Sequence, residues 1–532
     1  MTHSDYPFAS RRSAVMAPSG MVASSQPLAS QAGLSALAAG GSAADAAIAA
    51  AATLTVVEPT SNGLGSDAFA LVWDGTRLLG LNGSGRWPAA ADADWLRNTD
   101  GSVRTRGWPS VTVPGAVDAW ATLHERYGRL GVDQLLEPAI QYAESGFPVS
   151  PVIATLWQAG GAEYGAHPNP ELAHWADTFA PGGRTPAAGE RWNSLAHARS
   201  LRGLAARGFR DFYEGEVGEA LVRFSQSTGG RLAADDLADH ASQWVDPISI
   251  DYGDLQVWEL PPNGQGIAAL IALGIYDRLG HHADLMSGDN WHAQIESMKL
   301  AFADAYGLVA DPEHAPVPIE GLLDSGYLAA RAALVGEQAG APRRGQPDRG
   351  GTVYLCCADS DGMMVSFIQS NYEGFGSGLV VPEFGVALQN RAAGFTLEAG
   401  HPNLAAPGKR PRHTIIPGFL TRAGEALGPF GVMGGEMQPQ GHLQSVVSLA
   451  DHGLNPQAAL DKPRWRLNGD NSISVEPGTP EGLVADLSRR GHLVRRSTSG
   501  IGHGRGQIIL RLAAGGYVAG SEPRADGSAV GY

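Results

Sequence analysis

The strongest pattern in the chain is a run of apolar residues on either side of a short turn. Residues 352–358 are apolar at nearly every position, 359–362 read Asp-Ser-Asp-Gly, and 363–370 are apolar again. The pattern predicts a β-hairpin that is buried on both faces. Because each face then needs its own covering layer, the hairpin indicates a layered α/β sandwich.

Helical periodicity predicts much of the remaining covering structure. Residues 43–57 form an Ala-rich stretch typical of a buried helix, and residues 113–146 and 190–245 also have helical patterns. Residues 292–306 place Ile295, Met298, Phe302 and Ala305 on one helical face. Further strands are predicted at 63–73, 254–260, 385–388, 415–420 and 508–511, and a helix at 440–452.

Composition narrows the possible partners and compartment. The chain has 532 residues, of which 43% are hydrophobic and 17% charged, as in globular proteins. Its net charge of −16 argues against nucleic acid or an anionic membrane as the main partner. Residues 1–20 lack a secretion-signal core, and 43–57 is too short to cross a bilayer. The only cysteines, Cys356 and Cys357, are adjacent, which favours a reducing compartment, and we expect the cytoplasm.

The hairpin begins where the composition changes abruptly. A polar, Pro- and Gly-rich stretch at 337–351 is predicted to lie exposed, and it ends in Gly350-Gly351-Thr352. If the chain is cut after Gly351, Thr352 carries a hydroxyl nucleophile and an α-amine base on one residue. Such an amine has an unperturbed pKa of roughly 7.7–8.0, which suits a base at neutral pH. Taken alone, the motif also fits a simple junction between a loop and a strand.

Two further features lie in positions that could assist a threonine nucleophile. If the hairpin pairs about its turn, Ser370 lies across from Thr352 and could orient its hydroxyl or amine. Gly434-Gly435, just before a predicted helix, offers two backbone N–H groups of the kind that stabilise an oxyanion. The alternatives are a serine that caps the end of a strand and a common Gly-Gly before a helix.

Two basic segments could shape a substrate pocket. GKRPRHTIIPGF, residues 408–419, places His413 and Thr414 before a strand. LQNRAAGF, residues 388–395, places Arg391 after a strand, where it could pair with a substrate carboxylate through two hydrogen bonds. A surface salt bridge is the alternative role for Arg391. The sequence contains no H-E-x-x-H, C-x-x-C, GxSxG or Walker motif.

Many of these motifs, in this order, resemble the gamma-glutamyltransferase family of N-terminal nucleophile hydrolases. The resemblance starts in the segment that includes GGSAADAAIAAAATLTVVEPTSNGLGSDAF and continues through VPGAVDAW, PPNGQG and ESMKLAFADAYGLVADPE. It extends through GGTVYLCCADSDG, GKRP, MGGEMQPQGH, ALDKPRW and PRADGSAVGY, and so covers nearly the whole chain.

The resemblance implies a fold and a set of roles. It implies a four-layer αββα sandwich built jointly by two fragments of one proenzyme, residues 1–351 and 352–532. It implies cleavage between Gly351 and Thr352, Thr352 as the nucleophile, and Gly434 and Gly435 as the oxyanion hole. Ser370 stands where the family has a threonine that supports the nucleophile. The resemblance implies no metal and no organic cofactor.

The chain departs from the family where glutathione-cleaving members hold the glutamyl group. Ser84 stands where those members have the arginine that binds the α-carboxylate, and Arg86 comes two residues later. Gly394 stands where they have the acid that binds the α-amine. Arg391 stands where the family has a Gln or Glu. Tyr372 stands where the family has an asparagine, and in this chain Asn371 comes one residue earlier. His413 and Thr414 stand where the family has paired serines.

These departures predict the substrate class. A buried ammonium without an acid costs several kcal/mol, so we expect the pocket to disfavour a glutamyl head and to take a small or purely anionic acyl group. Tyr372, Asn371, Arg391, His413, Thr414 and Arg86 are the predicted substrate-binding residues. The subgroup is similar to oxamate amidohydrolases, and we expect cephalosporin acylases to be more distant.

The sequence thus predicts a self-processing threonine amidohydrolase acting on a small amide such as oxamate. One alternative is a glutathione hydrolase or transferase with a rearranged pocket. A second is a binding protein on this fold that turns nothing over.

Overall fold

The computed structural model describes residues 8, 9, 12–167, 169–341 and 351–532. The predicted exposed stretch at 337–351 therefore lies largely outside the described residues. Among those residues no helix is both long and apolar enough to cross a bilayer.

Most strands are short, and the longest have nine residues. In chain order they are β1 (Val15–Ala17), β2 (Met21–Ser24), β3 (Asp67–Trp73), β4 (Leu78–Gly83), β5 (Phe147–Pro148), β6 (Arg191–Trp192), β7 (Gln243–Val245), β8 (Ile248–Tyr252), β9 (Leu255–Glu259), β10 (Gly351–Ala358), β11 (Met364–Tyr372), β12 (Val380–Val381), β13 (Val386–Ala387), β14 (Gly418–Arg422), β15 (Glu425–Met433), β16 (Trp465–Leu467), β17 (Ile473–Val475), β18 (Val494–Arg496), β19 (Arg505–Arg511), β20 (Tyr517–Ser521) and β21 (Ser528–Gly531).

The helices flank these strands. They are α1 (Pro27–Ala38), α2 (Ala43–Val57), α3 (Ala116–Tyr127), α4 (Val132–Ser145), α5 (Pro151–Tyr164), α6 (Ala173–Phe179), α7 (Leu195–Arg207), α8 (Asp211–Glu214), α9 (Glu216–Ser227), α10 (Ala234–Ala238), α11 (Gly266–Arg278), α12 (Gly288–Leu308), α13 (Ile319–Leu322), α14 (Ser325–Ala332), α15 (Met437–Ala450), α16 (Pro456–Asp461) and α17 (Glu481–Arg489).

Two seven-stranded antiparallel sheets form the two central layers. One has the order β21-β2-β10-β11-β3-β4-β7 and the other β1-β20-β19-β15-β14-β9-β8. Helices α1, α2 and α3 cover the outer face of the first sheet, and α4 packs on α2. Helices α11, α15 and α16 cover the outer face of the second sheet, and α12 packs on α11. The four-layer αββα sandwich is therefore confirmed.

The hairpin β10–β11 is buried on both faces, as its sequence pattern predicts. Val353, Leu355 and Cys357 point into the core under the α1–α4 layer. The intervening Tyr354 and Cys356 point into the core between the two sheets. Alternate residues of one strand thus belong to two different cores, which explains the continuous apolar run.

The sheets approach each other closely where β10 faces β15. Gly431 leaves room for the ring of Tyr354, since a Cβ atom at position 431 would lie 2.5 Å from Tyr354 Cε2. Tyr354 lies two residues after Thr352, and Gly431 lies three before Gly434. The Gly434-Gly435 turn therefore follows within a few residues of the point where the two strands meet.

Candidate active site

Thr352 lies at an irregular point of the hairpin. Gly351 pairs with Tyr372 and Val353 pairs with Gln369, so the register shifts between them. Thr352 Oγ1 and Ser370 Oγ share a hydrogen bond of 3.0 Å, and both residues are completely buried. The structure therefore brings together the two hydroxyls that the hairpin pattern places opposite each other.

The backbone after Ser370 is held in an unusual conformation. The Tyr372 N–H donates to Ser370 Oγ at 2.8 Å, and Tyr372 has a φ of 77°, in the left-handed region that non-glycine residues rarely adopt. Such a residue costs on the order of 1–3 kcal/mol and persists where its surroundings impose it. Ser370 thus joins the hydroxyl of Thr352 to a constrained turn.

Asn371, a predicted substrate-binding residue, is held by two hydrogen bonds, and its Nδ2 has no partner among the described residues. Its Oδ1 accepts from Ser66 Oγ at 2.8 Å, and its backbone N–H donates to Ser61 O at 3.1 Å. These bonds tie the end of β11 to the loop between α2 and β3.

Gly434 and Gly435 form the turn between β15 and α15. Their φ values of 132° and 61° are ones that glycine adopts without the cost that a Cβ would bring. Gln265 Nε2 donates to Gly435 O at 3.1 Å and to Thr414 O at 2.8 Å, which holds the turn against the segment with the predicted pocket residues. The N–H groups at the start of α15 favour a bound negative charge.

A buried His-Glu pair fixes the strand that leads into this turn. The Val432 N–H donates to His442 Nε2 at 3.2 Å, so the other ring nitrogen, Nδ1, donates to Glu259 Oε1 at 2.6 Å. All three residues are buried. The pair thus limits the movement of the glycine turn relative to α15.

Arg391 is fully buried next to Tyr372. Its Nη1 donates to Thr414 Oγ1 at 2.8 Å, and its guanidinium carbon lies 4.5 Å from the centre of the Tyr372 ring. Burial lowers the pKa of Arg391 to about 10, so it stays cationic at neutral pH. Its Nη2 has no hydrogen-bond partner among the described residues. A buried cation with a free donor can bind an anionic group.

Asp67, which the sequence reasoning missed, supplies the charge opposite Arg391. Its Oδ2 lies 3.9 Å from Arg391 Nε, and its Oδ1 accepts from Gly115 N at 3.1 Å. Burial raises the pKa of Asp67 to about 7, although the nearby Arg391 charge acts to lower it. An acid at the start of an apolar strand, in GLGSDAF, was the available signal for a buried functional carboxylate.

His413 lies in this cluster but brings no charge to it. Its Nδ1 accepts from the Ile415 N–H at 3.3 Å, so its Nε2 donates to Asp67 Oδ2 at 3.0 Å. Burial and the Arg391 charge hold the pKa of His413 well below its usual range. His413 therefore lies in the cluster as a neutral imidazole, because a neutral ring with both nitrogens hydrogen-bonded costs less to bury than an imidazolium.

Neither Arg86 nor Gly394 supplies a charged side chain to this cluster. Arg86 is outside the cluster, with Nη2 on Glu313 Oε1 and Oε2 at 2.8 and 2.7 Å and Nη1 on Gly408 O at 3.0 Å. A Cβ atom at Gly394 would lie 2.6 Å from Arg412 O, so this position has no room for an acidic side chain.

Tyr372, which contacts Arg391, also lines a cavity of about 1090 Å³ that Arg391 does not line. Its wall includes Tyr372, Glu373, Tyr306, Arg412 and Gly394. Thr352 and Arg391 have no exposed surface. In the continuous chain, Tyr372 therefore stands between this cavity and the buried cluster.

Comparison with known proteins identifies the family of this chain. The family model described as gamma-glutamyltranspeptidase matches residues 29–532. The chain belongs to the gamma-glutamyltranspeptidase family.

Relatives within the gamma-glutamyltranspeptidase family cover almost the whole chain. The chain is 35% identical to the glutathione hydrolase-like YwrD proenzyme of Bacillus subtilis (strain 168), over 96% of this chain and 98% of that protein. It is 33% identical to the oxamate amidohydrolase proenzyme of Klebsiella pneumoniae, over 96% and 98% respectively. These relationships establish the chain as an enzyme of the amide hydrolase and acyltransferase type that is made as a proenzyme.

One solved structure changes an expectation. The cephalosporin acylase of Bacillus halodurans is 50% identical, with a TM-score of 0.94, covering 99% of this chain and 98% of that one. The expectation that cephalosporin acylases are more distant than oxamate amidohydrolases is therefore wrong for this protein. A single sequence could not rank the two groups, because the motifs that they share carry the family resemblance.

One group of three side chains in the described part of this family member is close enough to hold a metal: His292, Glu296 and His492. Most of their ligand atoms are engaged in hydrogen bonds, whereas His492 Nδ1 has no partner among the described residues. His292 Nε2 donates to Gly336 O at 2.8 Å, so its Nδ1 accepts from His492 Nε2, also at 2.8 Å. Lys299 Nζ occupies Glu296 Oε1 at 2.7 Å. These hydrogen bonds connect Gly336, through His292, to His492 in the C-terminal part of the chain.

The raised pKa of Asp67 predicts a specific pH dependence of stability. Because its folded pKa of about 7 exceeds the ordinary value of 3.8, its stabilising contribution is complete below about pH 4 and is lost as pH rises through 7. In thermal melts from pH 4.5 to 8, wild type should lose stability relative to Asp67→Asn, which cannot titrate.

Asp254→Asn, at an exposed acid paired with Arg422, is the control, and its melting temperatures should run parallel to those of wild type. Parallel curves for wild type and Asp67→Asn would contradict the assignment.

Proposed function

We propose that this protein is a threonine amidohydrolase that cuts its own chain between Gly351 and Thr352. The two fragments, residues 1–351 and 352–532, then form one enzyme. The observation that carries the proposal is the buried hydrogen bond of 3.0 Å between Thr352 Oγ1 and Ser370 Oγ at the first position after the cut. The α-amine freed by the cut is a base on the same residue as the nucleophile.

The reaction follows from these groups. The Thr352 hydroxyl attacks the amide carbon and passes its proton to the α-amine, while Ser370 orients the hydroxyl. The negative oxygen of the tetrahedral intermediate is stabilised by the N–H groups of Gly434 and Gly435. The C–N bond breaks, the amine leaves with the proton, and an ester to Thr352 remains. Water hydrolyses the ester and restores the free hydroxyl.

We propose that the acyl group of the substrate is anionic. The free Nη2 of Arg391 supports this, because a cation without a full complement of hydrogen bonds gains most from a carboxylate. The similarity to an oxamate amidohydrolase supports it as well, since oxamate is a small amide with a carboxylate on its acyl carbon.

A γ-glutamyl substrate is the second candidate, because the structure does contain an acid near the pocket. Asp67 lies 3.9 Å from Arg391 and could face a substrate ammonium. However, Asp67 already accepts hydrogen bonds from His413 and from the Gly115 N–H. An ammonium would have to displace one of these partners, so this candidate is the weaker one.

Replacement of Thr352 tests the nucleophile and the cut together. Thr352→Ala should stay a single chain and hydrolyse no amide, whereas wild type should separate into two fragments that meet at 351/352. Intact-mass spectrometry measures the cut, and Thr352→Ser, which keeps a hydroxyl, is the matched control that should still be processed. A wild-type chain that remains whole, or that is cut without turning over any amide, would favour a binding protein.

Replacement of Ser370 tests its orienting role. Leaving a buried hydroxyl without its partner costs about 1–3 kcal/mol, so Ser370→Ala should slow processing and kcat roughly 5- to 150-fold. Ser370→Thr keeps the hydroxyl and should retain most of both rates. If the alanine and threonine variants behave alike in gel-based processing and steady-state assays, the serine has no such role.

A matched pair of substrates tests the acyl group. Glutaryl anilide differs from γ-glutamyl anilide only by lacking the α-ammonium, so wild type should hydrolyse the glutaryl compound at least about tenfold faster in kcat/KM. Release of ammonia from oxamate measures the smallest anionic case. Arg391→Lys, which keeps the charge but loses the planar pair of donors, should lower kcat/KM for both anionic substrates. Preference for the γ-glutamyl compound would instead support the second candidate.

A further inference from the structure

Two histidines and one glutamate form a buried group that includes no residue of the proposed active site. His292 and Glu296 stand one helical turn apart on α12, so their side chains leave the same face of the helix. His492 reaches them from the segment between α17 and β18. One ligand atom of each residue lies within 4.8 Å of the other two, and each residue is at most 5% exposed.

The distances between these ligand atoms are close to those in a metal site. His292 Nδ1 lies 2.8 Å from His492 Nε2, which in turn lies 3.9 Å from Glu296 Oε1. Zn²⁺ binds imidazole nitrogen and carboxylate oxygen at about 2.0–2.2 Å, so two ligand atoms of a tetrahedral ion are roughly 3.3–3.6 Å apart. Small rotations of the side chains would therefore bring all three atoms to one ion.

The outer atoms of two of these side chains are already held as they are in metal sites. His292 Nε2 donates to Gly336 O at 2.8 Å, and Glu296 Oε2 accepts from the Gly340 N–H at 2.9 Å. Metal-binding histidines commonly donate their second ring N–H to a backbone carbonyl, and ligating carboxylates are hydrogen-bonded in turn. The bond to Gly336 fixes the tautomer of His292 whose lone pair lies on Nδ1, the atom that faces His492.

His492 has a proton that can move aside for an ion. Its Nε2–H donates to His292 Nδ1, whereas its Nδ1 is buried and has no partner among the described residues. If an ion replaces this hydrogen bond, the His492 proton moves from Nε2 to Nδ1. Both rings then stay neutral and each presents a lone pair to the ion, so neither imidazole has to release a proton to solvent.

Lys299 is the group that opposes a cation at this place. Its Nζ donates to Glu296 Oε1 at 2.7 Å and to Gly340 O at 3.0 Å. An ion on Oε1 would displace the first bond and leave the ammonium with the second. Because the ion and the ammonium then repel each other, we expect binding to be reversible.

We propose that His292, Glu296 and His492 form a reversible binding site for Zn²⁺. Two imidazoles and one carboxylate suit Zn²⁺, whereas Mg²⁺ and Ca²⁺ prefer sites made of oxygen atoms. The burial of all three side chains favours a site that stabilises the structure over one that activates a substrate.

The site would also connect the two parts of the cut chain. His292 and Glu296 belong to residues 1–351, and His492 belongs to residues 352–532. A bound ion would therefore hold the two proposed fragments together. This consequence rests on the proposed cut, whereas the site itself does not.

Titration of the metal-free protein with Zn²⁺ tests the site. After a chelator has been added and removed, wild type should bind one Zn²⁺ per molecule in isothermal titration calorimetry, and neither Mg²⁺ nor Ca²⁺. Zn²⁺ at about a hundredfold excess over its dissociation constant should raise the melting temperature by at least about 2 °C. Co²⁺ in its place should give the visible absorption bands of a tetrahedral complex.

Two variants should change the affinity in opposite directions. His492→Gln keeps an amide donor toward His292 but has no imidazole, so it should bind Zn²⁺ at least about a hundredfold more weakly. Lys299→Met removes the competing cation and should bind Zn²⁺ at least about tenfold more tightly.

His281→Ala is the matched control, because His281 belongs to a separate, exposed group with Asp451 at 3.1 Å and Asp277 at 3.7 Å. Its affinity for Zn²⁺ should equal that of wild type. A wild type that binds no Zn²⁺, an unchanged affinity in His492→Gln, or binding lost in His281→Ala would overturn the site. If His492→Gln fails to fold, as judged by its melting temperature, the wild-type titration and Lys299→Met still decide.

Thr352→Ala, which should remain a single chain, separates the zinc site from the proposed cut. It should bind Zn²⁺ with wild-type affinity. In processed wild type, Zn²⁺ should raise the urea concentration at which the two fragments separate on size-exclusion chromatography, and no such shift would refute the connection between them. Zinc binding to a wild-type chain that is never cut would refute the cut and support the site, whereas a processed chain that binds no zinc would refute the site alone.

Discussion

The fold depends on the need to bury one hairpin on both faces. Since β10 and β11 send alternate side chains into two cores, they require helices on one side and a second sheet on the other. Thr352 and Ser370 lie at the open end of this hairpin, where the irregular register turns their hydroxyls toward each other. The hairpin that is buried in both cores therefore holds the proposed nucleophile.

The burial of this hairpin on both faces explains how the two fragments could stay together after a cut before Thr352. Strand β10 pairs with β2 and β11 pairs with β3, so residues from both sides of the cut share one sheet. In the second sheet β14 pairs with β9 in the same way. Buried ion pairs add to these ladders, as between Arg505 and Glu58 at 3.2 Å. Separating the fragments would expose the apolar surface of both cores to water, and the free-energy cost grows with the area exposed.

Buried charge is the second organising element of the site. Arg391, Asp67 and His413 are buried in contact with one another. Because burial penalises an isolated charge, each group must either pair with an opposite charge or be neutral. The imidazole is neutral, the carboxyl has a pKa near 7, and the guanidinium keeps its charge and a free donor. The cluster therefore leaves one unsatisfied positive group, whereas Arg412 carries its charge in the open cavity on the other side of Tyr372.

The sequence by itself determined the elements whose physics is local. Continuous apolar runs on both sides of residues 359–362 predicted the hairpin and the layered fold, and the spacing about that hairpin turn placed Ser370 opposite Thr352. A Gly-Gly pair predicted a turn before a helix. Only the tertiary structure decided the contents of the pocket. It brought Asp67 to His413 across 346 residues, left Arg86 in an ion pair outside the cluster, and made His413 neutral. These outcomes depend on burial and on partners distant in sequence, because the charge of a side chain follows from the groups that enclose it and not from its neighbours along the chain.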